Sequence, residues 1–302
     1  MILICVFHEN MDAGRRPYLF KNRKIRIIMR LFKVLILLLA AVVPATAQNP
    51  DFHIYLCLGQ SNMEGNAAVE PVDTVDVPGR FKMMAAVDFP DKGRKKGMWY
   101  TAVPPLVRHY TGLTPMDYFG RTMVDSLPDN VTVGVVAVAI GGCRIEHLSK
   151  DFDPASLKDE PEWLRNFMKE YDNHPYTRLV ECAKAACRDG VIKGILLHQG
   201  ESNSGDPSWP SKVRKLYDDL IGDLGLDPAQ VPLLAGELVA TEQGGKCGGM
   251  NAIIATLPDV IPGAKVVSSE GLGQRGDGLH FTAESYRELG RRYAREALAP
   301  RR

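Results

Sequence analysis

The sequence holds no apolar run near the roughly 20 residues that a membrane-spanning helix needs. Its run Val34–Val43 reaches only ten, which excludes a polytopic membrane protein. Neither charge sign dominates: 37 Lys and Arg stand against 36 Asp and Glu, a formal net charge of +1. The basic excess that marks a nucleic-acid partner is therefore missing. No C-x-x-C occurs, which removes the usual spacing of a zinc site or a thioredoxin motif. After Ala47 there are no internal repeats and no low-complexity tracts. What remains is ordinary for a globular chain of 302 residues, 45% hydrophobic and 24% charged. That composition excludes disorder and a collagen-like repeat, and the length suits one large domain or two small ones.

The N-terminus has its own pattern. Lys21, Arg23, Lys24, Arg26, Arg30 and Lys33 precede the apolar run, and Pro44 and Ala45-Thr46-Ala47 follow it. A basic region, a short apolar region and an A-x-A site read as a secretory signal peptide over residues 1–47. Met29-Arg30 makes a better start, so residues 1–28 read as an upstream extension. Cleavage after Ala47 removes eight of the basic and two of the acidic residues, leaving 255 residues with five more acidic than basic groups. Residues 48–302 are enough for one core. Export to the periplasm or outside the cell is expected, with no membrane span after cleavage. Cys5 leaves with the signal, and an odd number of thiols cannot all pair within one chain. Cys57 lies in an apolar run, and Cys182 and Cys187 lie in a helical pattern. Free buried thiols are expected, with one oxidised pair involving Cys143 or Cys247 left open.

Short β-branched runs alternate with helical patterns. Strands are expected at His53–Leu58, Thr132–Ile140, Lys193–His198, Val231–Glu237 and Lys265–Ser269. Helices are expected at Met116–Leu127, Tyr176–Arg188, Lys212–Leu220, Met250–Leu257 and Thr282–Ala297, the last N-capped by Thr282. Strands apolar throughout belong in a parallel sheet covered on both faces. The alternation implies an α/β fold: a three-layer α/β/α sandwich around a five-stranded parallel, doubly wound, flavodoxin-like sheet. Ligands of such sheets bind at the strand C-termini. The proline-rich stretch 64–110 shows no convincing periodicity and reads as either a functional loop or a linker, hanging over that edge. Its run Lys92-Gly93-Arg94-Lys95-Lys96 reads as a solvated loop tip, with an acidic-ligand patch as the alternative.

Polar motifs end three of these strands, and a fourth precedes the last helix. Gly59-Gln60-Ser61-Asn62-Met63-Glu64-Gly65 places a serine directly after a strand. It is not the G-x-S-x-G elbow, because Met63 stands where the second glycine belongs. Gly141-Gly142-Cys143 offers backbone N–H groups at close approach, suited to a developing oxyanion. His198-Gln199-Gly200-Glu201-Ser202 adds a glutamine side chain. Asp277-Gly278-Leu279-His280 spaces an acid and a base so that both face one site. Each motif alone is as well explained by a turn or a packing glycine. Four together at strand ends are harder to dismiss.

In this order, GQSNMEG, GGC, HQGES and DGLH resemble the SGNH (GDSL-like) hydrolases. The resemblance is nearest to their sialate O-acetylesterase-like branch, which includes acetylxylan esterases of carbohydrate esterase family six, and it spans about residues 52–297. It implies a single catalytic domain in which Ser61 is the nucleophile, His280 the general base and Asp277 its orienting acid. The oxyanion hole would be the Ser61 N–H, the Gly142 N–H and the Gln199 side chain, with Asn62 and Glu201 secondary. Relatives often carry Ser or Thr where this chain has Cys143. The implied substrate is an acetylated carbohydrate, with no metal or organic cofactor. Trp99, Tyr100 and Trp209 read as loop aromatics overhanging the cleft, and Trp99 and Arg144 as substrate contacts. For Arg144 and Glu146 a structural salt bridge is the stronger reading. His53, His109, His147, His174 and His198 lack metal spacing. Two other functions stay open: an inactive carbohydrate-binding protein on the same fold, and a lipid esterase or thioesterase.

Overall fold

In the computed structural model, which describes residues 48–300, the chain opens with β1 (Asn49–Gly59). Residues Ile54–Leu58 are buried on both faces, as a central parallel strand requires. After the single turn α1 (Ser61–Glu64), two short strands follow: β2 (Phe81–Met84) and β3 (Trp99–Thr101). Then come α2 (Pro115–Ser126), β4 (Thr132–Ala139), α3 (Glu162–Lys169) and α4 (Pro175–Ala186). The remainder is β5 (Gly190–His198), α5 (Trp209–Leu224), β6 (Leu233–Gly236), β7 (Lys265–Val267) and α6 (Ala283–Leu298).

The sheet runs β3-β2-β4-β1-β5-β6-β7. Only the β2–β3 pair is antiparallel. Five strands lie where the apolar runs put them, and β2 and β3 correct the expected count to seven. These two come from the proline-rich stretch. Four residues (Phe-Lys-Met-Met) and three (Trp-Tyr-Thr) are too short to display a period. β1 is the switch point: β2 and β3 lie outward on one side, β4 returns to pair with β1, and the chain then crosses to β5 on the other side. In doubly wound sheets the ligand crevice opens beside such a strand, and Ser61 sits two residues past its end.

Helices cover both faces. On one, Phe119 of α2 meets Tyr55 edge-on at 4.8 Å, and α6 packs across α2. At that crossing any side chain on Gly290 would clash with the Pro115 carbonyl, so the helices touch backbone to backbone. On the other face α5 lays Val213, Leu216, Tyr217 and Leu220 over Leu58, Ile195, Leu197 and Leu233. The helix starts follow sequence chemistry. The Thr114 hydroxyl accepts from the Met116 N–H at 3.1 Å while the Asp117 carboxylate accepts from the Thr114 N–H at 2.9 Å, a capping box. Thr282 caps α6 as expected, accepting from the Ser285 N–H at 3.2 Å.

Other details differ from the expectation. The helix expected at Met250–Leu257 is broken into single turns, Asn251–Ile254 and Leu257–Val260. Within the basic run Arg94 is buried, donating to the carbonyls of Val103 and Pro105 at 2.7 Å each. That run is therefore a tie beneath the 64–110 segment as well as a charged tip. Cys57, Cys143 and Cys182 are buried, Cys187 and Cys247 partly so, and none of the five is paired. Residues 1–47, where a signal peptide is expected, lie outside the described residues. No described helix is long and apolar enough to cross a membrane.

Candidate active site

Ser61 follows Gly59-Gln60 at the end of β1. As the first residue of α1, its N–H has no intrahelical acceptor. His280 and Asp277 arrive from the opposite end of the chain, on the loop before α6. The Ser61 Oγ lies 2.8 Å from His280 Nε2, and His280 Nδ1 lies 2.7 Å from Asp277 Oδ2. A carboxylate only accepts, so the proton belongs on Nδ1, leaving Nε2 to accept from the Ser61 hydroxyl. The other carboxylate oxygen accepts from the N–H groups of Leu279 at 2.8 Å and His280 at 2.9 Å. Arg275 donates to Oδ2 at 3.0 Å. Burial works against ionisation here. The hydrogen bonds from His280, its backbone and that of Leu279, and from Arg275 nevertheless hold the Asp277 carboxyl well below the usual carboxylate range.

Asn62 joins the two ends of the chain. Its Nδ2 donates to Glu201 Oε1 at 2.6 Å and to the Leu279 carbonyl at 2.9 Å, and its Oδ1 accepts from the Tyr286 hydroxyl at 2.6 Å. One side chain thus fastens the Ser61 turn to the loop carrying His280, to α6 and to the turn after β5. Burial pushes the Glu201 carboxyl up to about 7, against the bonds from its own backbone and from Asn62. Its Oε2 has no partner.

Gly141-Gly142 lies against this centre. A methyl placed on Gly141 would be 2.8 Å from Glu64 Oε2 and 3.8 Å from the Ser61 Cβ. Gly142 has φ +72°, and a methyl there would strike the Trp163 ring. Both geometry and space therefore ask for glycine at 142. The Gly142 carbonyl accepts from the Ser202 hydroxyl at 2.9 Å, while its N–H has no backbone acceptor.

Gln199 differs from its expected role. It is 1% exposed. Its Nε2 already donates to Asn203 Oδ1 at 2.8 Å, Gln60 Oε1 at 3.1 Å and the Cys143 carbonyl at 3.3 Å. Its Oε1 accepts from the Trp209 indole at 2.5 Å. With two protons serving three acceptors, no N–H is left over for a ligand. Gln199 is a strut behind the Gly142-Cys143 turn.

The aromatic residues are also rearranged. Trp209 is fully buried at the start of α5, because its N–H has a buried partner in Gln199. Trp99 lies at the wrong end of the sheet. Its ring packs on Phe52 at 4.8 Å and over Gly134, and its N–H donates to Asp189 Oδ2 at 2.9 Å. Phe52 is nine residues before Ser61, so Trp99 is not brought to the cleft. Tyr100 donates no contact there either, its hydroxyl accepting from the Lys95 N–H at 2.8 Å. Arg144 is half-exposed beside the Gly142 turn and 3.8 Å from Glu146 Oε2. Glu146 itself pairs with Lys212 at 2.6 Å, the structural arrangement favoured above.

Three rings that sequence reasoning did not select do flank the centre: Trp163 and Phe167 on α3, and Tyr110. Behind them Arg108 is fully buried, its guanidinium 4.6 Å from the Phe167 ring centre and 5.1 Å from that of Tyr110. It pairs with Glu64 of the Ser61 turn and, at 3.3 Å, with Glu170. A buried cation is tolerated because carboxylates and ring faces replace its water.

Of the remaining histidines, His198 is buried, and burial lowers it to about 3, so it is neutral. His147 Nδ1 accepts from the Arg144 N–H at 3.0 Å, and His174 Nδ1 caps α4. Among the described residues, no group of three His, Cys, Asp or Glu side chains is placed to hold a metal ion.

Three solved structures share the fold. A protein from Arabidopsis thaliana is 22% identical with a TM-score of 0.61, covering 83% of this chain and 98% of its own. NanS is 17% identical with a TM-score of 0.58 and the same two coverages. A carbohydrate acetylesterase from Xanthomonas citri is 21% identical with a TM-score of 0.55, covering 81% of this chain and 55% of its own. At these identities the likeness speaks for the α/β fold. The family model described as carbohydrate esterase, sialic acid-specific acetylesterase matches residues 51–299. The chain therefore belongs to that family and is a carboxylic ester hydrolase.

Proposed function

We propose that the protein is an exported serine esterase that removes O-acetyl groups from a carbohydrate. The observation that carries this reading is the unbroken hydrogen-bonded line from Ser61 Oγ through His280 to Asp277, at 2.8 and 2.7 Å. Ser61 Oγ attacks the acetyl carbonyl carbon while His280 Nε2 takes the hydroxyl proton. The charge that develops on the carbonyl oxygen is met by the N–H groups of Ser61 and Gly142. Collapse of this tetrahedral species breaks the ester bond, and His280 returns the proton to the departing sugar oxygen. Water then attacks the acetyl-serine, giving its proton to His280, and acetate leaves as the proton returns to Ser61. Asp277 stays ionised throughout, holding the Nδ1–H tautomer and stabilising the imidazolium.

Gln199 acts as a positioning residue, fixing the Cys143 carbonyl and so the Gly142 N–H. Substrate enters from the strand C-terminal edge. Ser61→Ala, assayed by acetate release from acetylated oligosaccharides, is expected to fall to background. Turnover close to wild type would overturn the covalent route, and with it the separation from an inactive carbohydrate-binding protein.

A further inference from the structure

We infer that Trp163 and Tyr110 form a stacking platform for a pyranose ring, so that the enzyme's substrate is an oligosaccharide gripped through the sugar beside the acetylated one. The inference rests on the esterase reading of Ser61 and deepens it. Among the described residues, these are the two large aromatics that remain half-exposed, at 49% and 50%. Trp163 stands next to the reacting centre, and Tyr110 is joined to the Ser61 turn through Arg108 and Glu64. Trp163 touches Gly142, and Gly142 neighbours Gly141, which is in contact range of Ser61. A sugar bound beside an ester at Ser61 is therefore within reach of the Trp163 ring.

The rings are held in fixed orientations. Phe167 lies between them, 6.1 Å from Trp163 and 6.4 Å from Tyr110, nearly parallel to the latter at 27°. Tyr110 is held from its far end by Glu170 and from beneath by Arg108. A platform set before binding loses little freedom on complex formation. Its chemistry suits a sugar rather than an acyl chain. Flat apolar faces stand on open surface, where an alkyl tail would stay half wet. Polar groups rim them: the Tyr110 hydroxyl, Glu170 and the half-exposed Arg144. A pyranose presents that same division, C–H bonds on its faces and hydroxyls around its edge. Beyond Tyr110 an open groove of about 640 Å³ continues past Asn66, Thr111 and His109, room for the glycan to run on.

The test compares the full-length enzyme with Trp163→Ala, Trp163→Phe and Tyr110→Ala, on O-acetylated xylotetraose, O-acetylated sialyllactose and p-nitrophenyl acetate. Wild type is expected to prefer one of the two glycans over the aryl ester in kcat/KM. Each alanine variant should lower that preference roughly tenfold through KM, and Trp163→Phe should restore most of it. A preference unmoved by either alanine overturns the platform, as does a wild type that prefers neither glycan. A second readout needs no turnover. In Ser61→Ala the preferred glycan should shift tryptophan emission, and Trp163→Phe should abolish the shift because Trp209 is buried and Trp99 lies at the far end of the sheet. A shift that survives Trp163→Phe overturns the inference. Failure of the esterase reading shows separately, as acetate release by Ser61→Ala.

Discussion

Asn62 Nδ2 donates to Glu201 Oε1 at 2.6 Å, while Glu201 Oε2 is buried without any partner. The Ser61 turn is thereby tied to a carboxyl that the fold satisfies on one oxygen only. The cost of ionising that carboxyl in place sets the first of four expected behaviours.

With a folded value of about 7 against an ordinary 4.5, Glu201 binds its proton more tightly in the native than in the unfolded chain. Below about 4.5 both states are protonated. Between these values the unfolded state releases the proton first, so wild-type stability falls as pH rises through the window. Glu201→Gln has no such proton, so its melting temperature should gain on wild type between pH 5 and pH 8. Parallel melting curves across that range would show that Glu201 ionises without penalty.

Asp277 works in the opposite sense. Its folded value is depressed, so its contribution is present above the ordinary carboxylate range and lost as pH falls through the folded value. Asp277→Asn keeps the shape but presents an N–H to His280 Nδ1 and favours the wrong tautomer. In hydrolase triads that change costs ~10⁴ in kcat. Acetate release within tenfold of wild type would remove Asp277 from the mechanism.

Gln199→Ala should act on stability as well as rate. The change strands the Cys143 carbonyl and the Trp209 N–H in a buried site, while Asn203 Oδ1 and Gln60 Oε1 keep backbone donors. Unpaired buried groups cost ~1–3 kcal/mol each before relaxation. A net loss of about 3 kcal/mol would lower Tm by roughly 6–12 °C in a domain of this size. A direct oxyanion donor behaves otherwise, with kcat falling ~10²–10³ at unchanged Tm. That second outcome would return Gln199 to the oxyanion hole.

Gly142→Ala meets two obstacles, φ +72° and the Trp163 ring. Backbone strain at such a position costs ~1–3 kcal/mol. Adding Trp163→Ala removes the steric obstacle and leaves the backbone one. The double variant should therefore be less destabilised than the two single losses added together, as read from a thermal-melt cycle. Strict additivity would mean that the ring yields freely.

Much of this could be read from the chain. β1, β4 and β5 are long buried strands, and a fully apolar run ending in glycine announces both the strand and the turn where chemistry collects. The contact between Asp277 and His280 was legible because the two lie three residues apart before a capped helix. Other features are set by tertiary placement. Trp99 and Trp163 look alike in sequence, each near prolines and charges. The first falls on an antiparallel edge strand facing Phe52, the second on an eight-residue helix facing Gly142. Gln199 was well placed for an oxyanion donor by its position after β5. Its hydrogen bonds to Asn203, Gln60, Trp209 and the Cys143 carbonyl occupy the amide instead, and no local spacing encodes the contacts with Gln60 and Cys143. β3 is an edge strand and β2 its inner neighbour, and their partners supply what their few residues do not.

Ser61 and His280 are separated by 219 positions, nearly the whole length of the folded domain. A ribosome that has emitted β1 through β6 has made the nucleophile turn and most of the core, yet nothing able to activate a hydroxyl. Contacts that close so long a loop form late and slowly, so the last helix and the loop ahead of it complete catalysis and fold together. An active molecule is thus one that has finished folding, and C-terminal clipping ahead of Asp277 should yield silence rather than a weakened enzyme.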